Sequence, residues 1–73
     1  MKIICDPSVD ALYLKLRELE PGTAESRKLS EDITADYGPD GKLAGLEILD
    51  ASHVLAEGDL QRVVFEVYPA KAA

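Results

Sequence analysis

Ala11-Leu12-Tyr13-Leu14-Lys15-Leu16-Arg17 carries the clearest periodic signal in this chain. Leu12, Leu14 and Leu16 alternate with Tyr13, Lys15 and Arg17, and a period of two sends alternate side chains to opposite faces of a strand. Leu, Lys and Arg are also good helix formers, so a helix competes for the same residues. The strict alternation decides for a strand. Upstream, Lys2–Asp6 is short and β-prone, and Pro7 stops it because proline cannot donate to a ladder. Asp6-Pro7-Ser8-Val9-Asp10, between the two runs, has turn chemistry throughout.

Downstream the same alternation returns in pieces. Leu19-Glu20-Pro21-Gly22-Thr23 reads as a turn, and residues 24–29 as a polar edge strand. Ser30-Glu31 is a tight link. In Asp32-Ile33-Thr34-Ala35-Asp36-Tyr37, Ile33, Ala35 and Tyr37 face one way. Gly38-Pro39-Asp40-Gly41-Lys42 predicts a hairpin turn. Residues 43–49 follow as a strand, with Ala44, Leu46 and Ile48 on one face and a Gly45 that marks a bulge or a close approach. Residues 50–57 predict a short helix, capped by Asp50 or Ser52 and ended by Gly58. Residues 61–68 predict a last strand, with Val63, Phe65 and Val67 on one face, and Pro69 terminates it.

The expected fold is therefore α+β, mainly β: an antiparallel meander sheet of five or six short strands with one short helix. Residues 1–69 make a single domain and residues 70–73 a flexible tail. Leu12, Leu14, Leu16, Ile33, Leu46, Ile48, Val63, Phe65 and Val67 form the expected core. The chain has 73 residues, and a domain of that size buries only about 60% of its unfolded surface. The lone Cys5 cannot form an internal disulfide. Strands 11–17 and 61–68 also carry apolar or aromatic residues on both faces, so Tyr13, Val64 and Tyr68 need cover. A homodimer or small homo-oligomer is the economical solution.

Fourteen acidic residues against eight basic give a net charge of −6. The basic residues Lys2, Lys15, Arg17, Arg27, Lys28, Lys42, Arg62 and Lys71 are scattered, so the chain offers no stripe for a phosphate backbone. Direct nucleic-acid binding is not expected, whereas a basic protein partner fits the charge. One cysteine suits a reducing compartment. Met1-Lys2-Ile3-Ile4-Cys5-Asp6-Pro7 lacks the apolar core of a signal peptide. No apolar run approaches the ~20 residues that span a bilayer. The expectation is a cytoplasmic protein without membrane contact.

Few constellations carry chemistry. The twelve residues from Asp36 to Glu47 place Asp36, Asp40, Gly41 and Glu47 where a calcium loop has ligands and its turn glycine. Gly38 lacks the side-chain ligand of the third position, Pro39 follows it, and the flanks are strands. A hairpin explains the same residues. Asp6 and Asp10 flank the first turn, and paired carboxylates do acid–base work when burial separates their pKa values. Solvated turn residues are the plainer reading. His53 beside Ser52 has no nucleophile-elbow context. Metal binding needs three or four ligands, and His53 with Cys5 shows no recognisable spacing. Cys5 reads as a small buried hydrophobe. Gly38, Gly41 and Gly45 do not space as a phosphate loop. No catalytic, cofactor or metal residue is assigned, and no cofactor is expected.

The run from Met1 to Leu16, with its Asp6-Pro7-Ser8-Val9-Asp10-Ala11-Leu12-Tyr13 centre, resembles the opening of the bacterial "domain of unknown function 2283" family. Ala24-Glu25-Ser26 and the run from Asp36 to Ser52 resemble its later segments. The resemblance covers roughly residues 1–55, with Cys5 where an aromatic is usual and a Val9 less polar than the family's turn. It implies a small stand-alone bacterial protein without an assigned activity. It also implies an antitoxin-like role, since some members are thought to be encoded beside small ribonuclease-like toxins. It transfers no catalytic residues.

Three functional readings follow. The first is a non-catalytic protein-interaction module, an antitoxin-like partner of a small basic protein. The second is a small-molecule-binding or enzymatic domain that uses Asp6 and Asp10 or a pocket at a dimer interface. The third is a purely structural homo-oligomer.

Overall fold

The computed structural model describes residues 1–55 and 62–69. Five strands form one antiparallel sheet: β1 (Lys2–Asp6), β2 (Ala11–Lys15), β3 (Glu25–Lys28), β4 (Ile33–Tyr37) and β5 (Leu43–Ile48). A four-residue helix, α1 (Ala51–Val54), follows β5. Each interior run expected from alternation is thus a strand, trimmed by one or two residues at its ends.

The order across the sheet is β1-β2-β5-β4-β3, which is not the expected meander. In a meander, β3 would lie between β2 and β4. Its sequence, Glu-Ser-Arg-Lys, is exposed at every position, and an interior strand needs side chains that tolerate neighbours on both sides. The polar strand takes an edge, as its composition predicts. β5, with Ala44, Gly45, Leu46 and Ile48, takes the centre. The crossing is made by residues 16–24. There Pro21-Gly22 turns the chain with Gly22 at φ 77° and Thr23 N donating to Glu20 O at 3.2 Å. Positive φ is the reason for glycine at that step.

The pairing register sorts the side chains onto two faces. Cys5, Leu12, Ile48 and Ile33 stand in one row across the sheet, and Ile3, Leu14, Leu46 and Ala35 in the next. Helix α1 lies over the first row, where Leu12, Ile48 and Ala51 are buried and Cys5, Ile33 and Val54 pack against them. In the second row Ala35 is buried, whereas Leu14 and Leu46 are only half-buried. Leu16 and Ile33 are half-buried too. Cys5 is half-buried and packs as the expected small hydrophobe.

The last expected strand does not form. Residues 62–68 have no strand pairing, and Val63, Phe65 and Val67 are 58%, 83% and 77% exposed rather than part of the core. Alternation alone makes no strand: ladder hydrogen bonds need a neighbour, and this stretch has none among the described residues. Gln61, the region of Gly58 and the expected tail at residues 70–73 lie outside the described residues.

Candidate functional site

The first turn and the helix start meet through Asp10. Asp6 stays within its own turn: its Oδ1 accepts from Ser8 N at 3.1 Å and from Ser8 Oγ at 2.5 Å. Asp10 lies in the left-handed region at φ 51°, which aspartate tolerates better than most residues. From there its backbone oxygen accepts Ala51 N at 2.9 Å. Its carboxylate accepts Ser52 N at 3.2 Å and Ser52 Oγ at 2.6 Å. Asp10 therefore caps α1 from a distant turn. Asp50, expected to cap, is itself left-handed at φ 52° and makes no side-chain cap bond. Its Oδ1 instead meets His53 Nδ1 at 3.0 Å.

The paired-carboxylate reading of Asp6 and Asp10 does not match this geometry, because each carboxylate is bound to a different serine. A different trio converges: ligand atoms of Asp10, Asp50 and His53 lie within 4.8 Å of one another. Two oxygens and an imidazole nitrogen are ligand types that suit a divalent cation. Here the same atoms are already engaged by Ser52 and by one another, as the pieces of a helix cap. A nucleophilic reading fails on geometry as well. A serine triad places the serine and the acid on opposite nitrogens of the imidazole. Ser52 Oγ, at 3.3 Å, and Asp50 Oδ1, at 3.0 Å, both address Nδ1 of His53. The sequence nominated Asp10, Ser52 and His53 separately; only the fold joins them, across some forty residues.

The calcium-loop reading resolves into the expected hairpin. Gly38 N donates to Lys42 O and Gly41 N to Gly38 O, both at 2.9 Å. Asp36 accepts Tyr13 Oη at 2.8 Å and Ser26 Oγ at 2.6 Å on the polar face of the sheet. That bond, with partial burial, pushes the Tyr13 phenol up to about 12. Asp40 takes both terminal nitrogens of Arg17, with Nη1 at 2.8 Å, and also accepts Lys42 N. The Arg17 bond, then the Lys42 amide, lower the Asp40 carboxyl to about 2. Glu47 lies opposite Thr34, two pairs along from Asp36 and Gly45. Asp36 and Asp40 are thus committed to protein partners, and no calcium-binding cup forms from the loop.

The polar face escaped sequence reasoning apart from one signal, Gly45. A Cβ there would stand 2.3 Å from Tyr13 Oη and 2.8 Å from Cζ, so the missing side chain is the seat of the Tyr13 ring. A shallow groove of about 510 Å³ is lined by Arg17, Leu19, Thr23 and Pro39 among others. Its charged lining is the Arg17–Asp40 pair together with Glu18 and Glu20. No helix among the described residues is long and apolar enough to cross a membrane.

Searches among curated proteins and among solved structures find no match to this chain. The sequence profile of a family described as protein of unknown function, DUF2283, matches residues 2–52, which span all five strands and the start of α1. That match takes in both Asp10 and the Asp50-Ala51-Ser52 step it caps, and the chain belongs to the DUF2283 family.

Proposed function

We propose that this chain is a non-catalytic protein-interaction module that works as a self-associated unit. One observation carries the reading. Among the described residues, thirteen large hydrophobic side chains are exposed, while Leu12 and Ile48 alone are both large and buried. Apolar area left in water is worth roughly 25 cal/mol per Å² when it is covered, and association is the means of covering it. The hydrogen bonds that occupy Ser52, His53, Asp10 and Asp50 also favour structure over chemistry at this convergent cluster.

The net charge of −6 supports a small basic protein as a further partner, in an antitoxin-like role, and the single cysteine supports a cytoplasmic setting. Light scattering at tens of micromolar protein tests self-association: a mass of at least two chains is expected. Co-purification with the product of a neighbouring gene for a small basic protein tests the second partner. Binding should be lost in high salt, because contacts between exposed charges are screened there.

A further inference from the structure

We propose that two copies of this chain exchange their C-terminal segments, each adding residues 62–66 as an antiparallel strand to the open edge of the other's β1. The proposal deepens the self-association reading and rests on it. Among the described residues β1 pairs only with β2, which leaves its outer edge open there. The opposite edge, β3, is covered in charge by Glu25, Arg27 and Lys28, a pattern that discourages pairing. β1 lacks that guard: Ile3, Ile4 and Cys5 stand between Lys2 and Asp6, and Ile3 and Ile4 are 41% and 45% exposed.

The segment Arg62-Val63-Val64-Phe65-Glu66 is complementary to that edge in one register. Set antiparallel with Val64 opposite Ile4, Arg62 meets Asp6 and Glu66 meets Lys2, two opposite-charge pairs on one face. On the other face Phe65 meets Ile3 and Val63 meets Cys5. Cross-strand pairs of this kind, aromatic with β-branched and acid with base, are the ones that stabilise sheets. A parallel setting with Val64 opposite Ile4 puts Arg62 against Lys2 and Glu66 against Asp6. Sliding the antiparallel setting by two residues puts Arg62 or Glu66 against Ile4. Pro7 closes the ladder at the Asp6–Arg62 end, since proline cannot donate to it.

A second copy is the occupant because the chain's own segment forms no pairing and is exposed. The Cα radius of gyration, 14.5 Å, exceeds the ~11 Å of a compact chain of this length. Within the paired segment, Val63, Val64 and Phe65 offer roughly 270–490 Å² of side-chain area per copy. A reciprocal exchange doubles that and adds the two receiving edges, which approaches the ~1,200 Å² lower bound of a stable interface.

The test combines mass with register. Wild-type protein at tens of micromolar should scatter as a dimer. Glu66→Lys and Lys2→Glu should each weaken dimerisation about tenfold, since every contact occurs twice in a two-fold dimer. The double variant should recover most of the loss. Oxidised Val63→Cys should give a covalent dimer through Cys5, because directly opposed positions bring side chains near disulfide reach. A wild-type monomer overturns self-association itself. A wild-type dimer that is indifferent to both charge variants and forms no Cys5 cross-link overturns only the exchange. A Cys5 cross-link closed within one chain also overturns it.

Discussion

At the residue scale, two aspartates share a backbone conformation and differ in what their side chains do. Asp10 and Asp50 both sit near φ 51–52°, a region that glycine enters without steric cost. Replacing either with glycine therefore changes backbone strain by a similar amount. Asp10 additionally holds Ser52 N and Ser52 Oγ, whereas the Asp50 side chain makes no cap bond. Asp10→Gly should cost about 1–2 kcal/mol more than Asp50→Gly, the worth of a cap carried by a charged acceptor. Paired urea titrations measure the difference, and equal midpoints would remove Asp10 from the capping role. Asp40 yields a pH prediction of definite sign. Its carboxyl is lowered to about 2 in the folded chain, chiefly by Arg17. Its contribution is present above the ordinary carboxylate pKa and is lost as pH falls toward 2. The stability gap between wild type and Asp40→Asn should narrow over that window, as thermal melts at pH 5 and pH 2.5 will show.

At the element scale, alternation identified the three interior strands β2, β4 and β5, because each buries one face and period two is its imprint. Alternation does not encode neighbours. Nothing in Ala11-Leu12-Tyr13-Leu14-Lys15 announces that β5 lies beside it; the clue was the polar composition of β3, which already demanded an edge and was incompatible with a meander. Residues 62–68 alternate equally well and remain unpaired, because a strand needs a partner that sequence period cannot supply. The site was less legible still. Asp10 and Ser52 meet only once the β1–β2 turn and α1 are brought to the same end of the sheet. The helix cover also ranks the leucines. Leu12 lies beneath α1 and Leu14 does not. Leu12→Ala should cost about 2–5 kcal/mol and Leu14→Ala distinctly less, with urea midpoints in that order. On the polar face, Gly45→Ala drives a methyl into the Tyr13 ring and within 3.1 Å of Leu14 O. The forced shift should cost about 1–3 kcal/mol and loosen the Tyr13–Asp36 bond. That bond holds the phenol up to about 12, so its stabilisation persists below pH 10 and is lost as pH rises through 12. Absorbance at 295 nm should show a tyrosine ionising near 12 in wild type and no such step in Tyr13→Phe.

At the scale of the whole molecule, two kinds of surface compete for partners and respond oppositely to salt. In the proposed self-association the driving force comes from the exposed apolar side chains of Ile3, Ile4, Val63, Val64, Phe65, Val67 and Tyr68, and it does not depend on screening. Two chains each of charge −6 repel at long range, so added salt relieves a cost of pairing even as it weakens any edge pair such as Lys2 with Glu66. Long-range steering of a basic partner runs the other way. Exposed charges farther apart than about 10 Å at 0.1 M are screened, and about 3 Å suffices at 1 M. Dimer mass should therefore persist from about 0.1 M to about 1 M salt, while any complex with a basic protein should dissociate across the same range. If light scattering gives a monomer throughout, the apolar surface is not a self-association surface. If the dimer dissolves as salt rises, charge pairs rather than apolar burial hold it, and Glu66→Lys should then be more damaging than truncation of Phe65 to alanine.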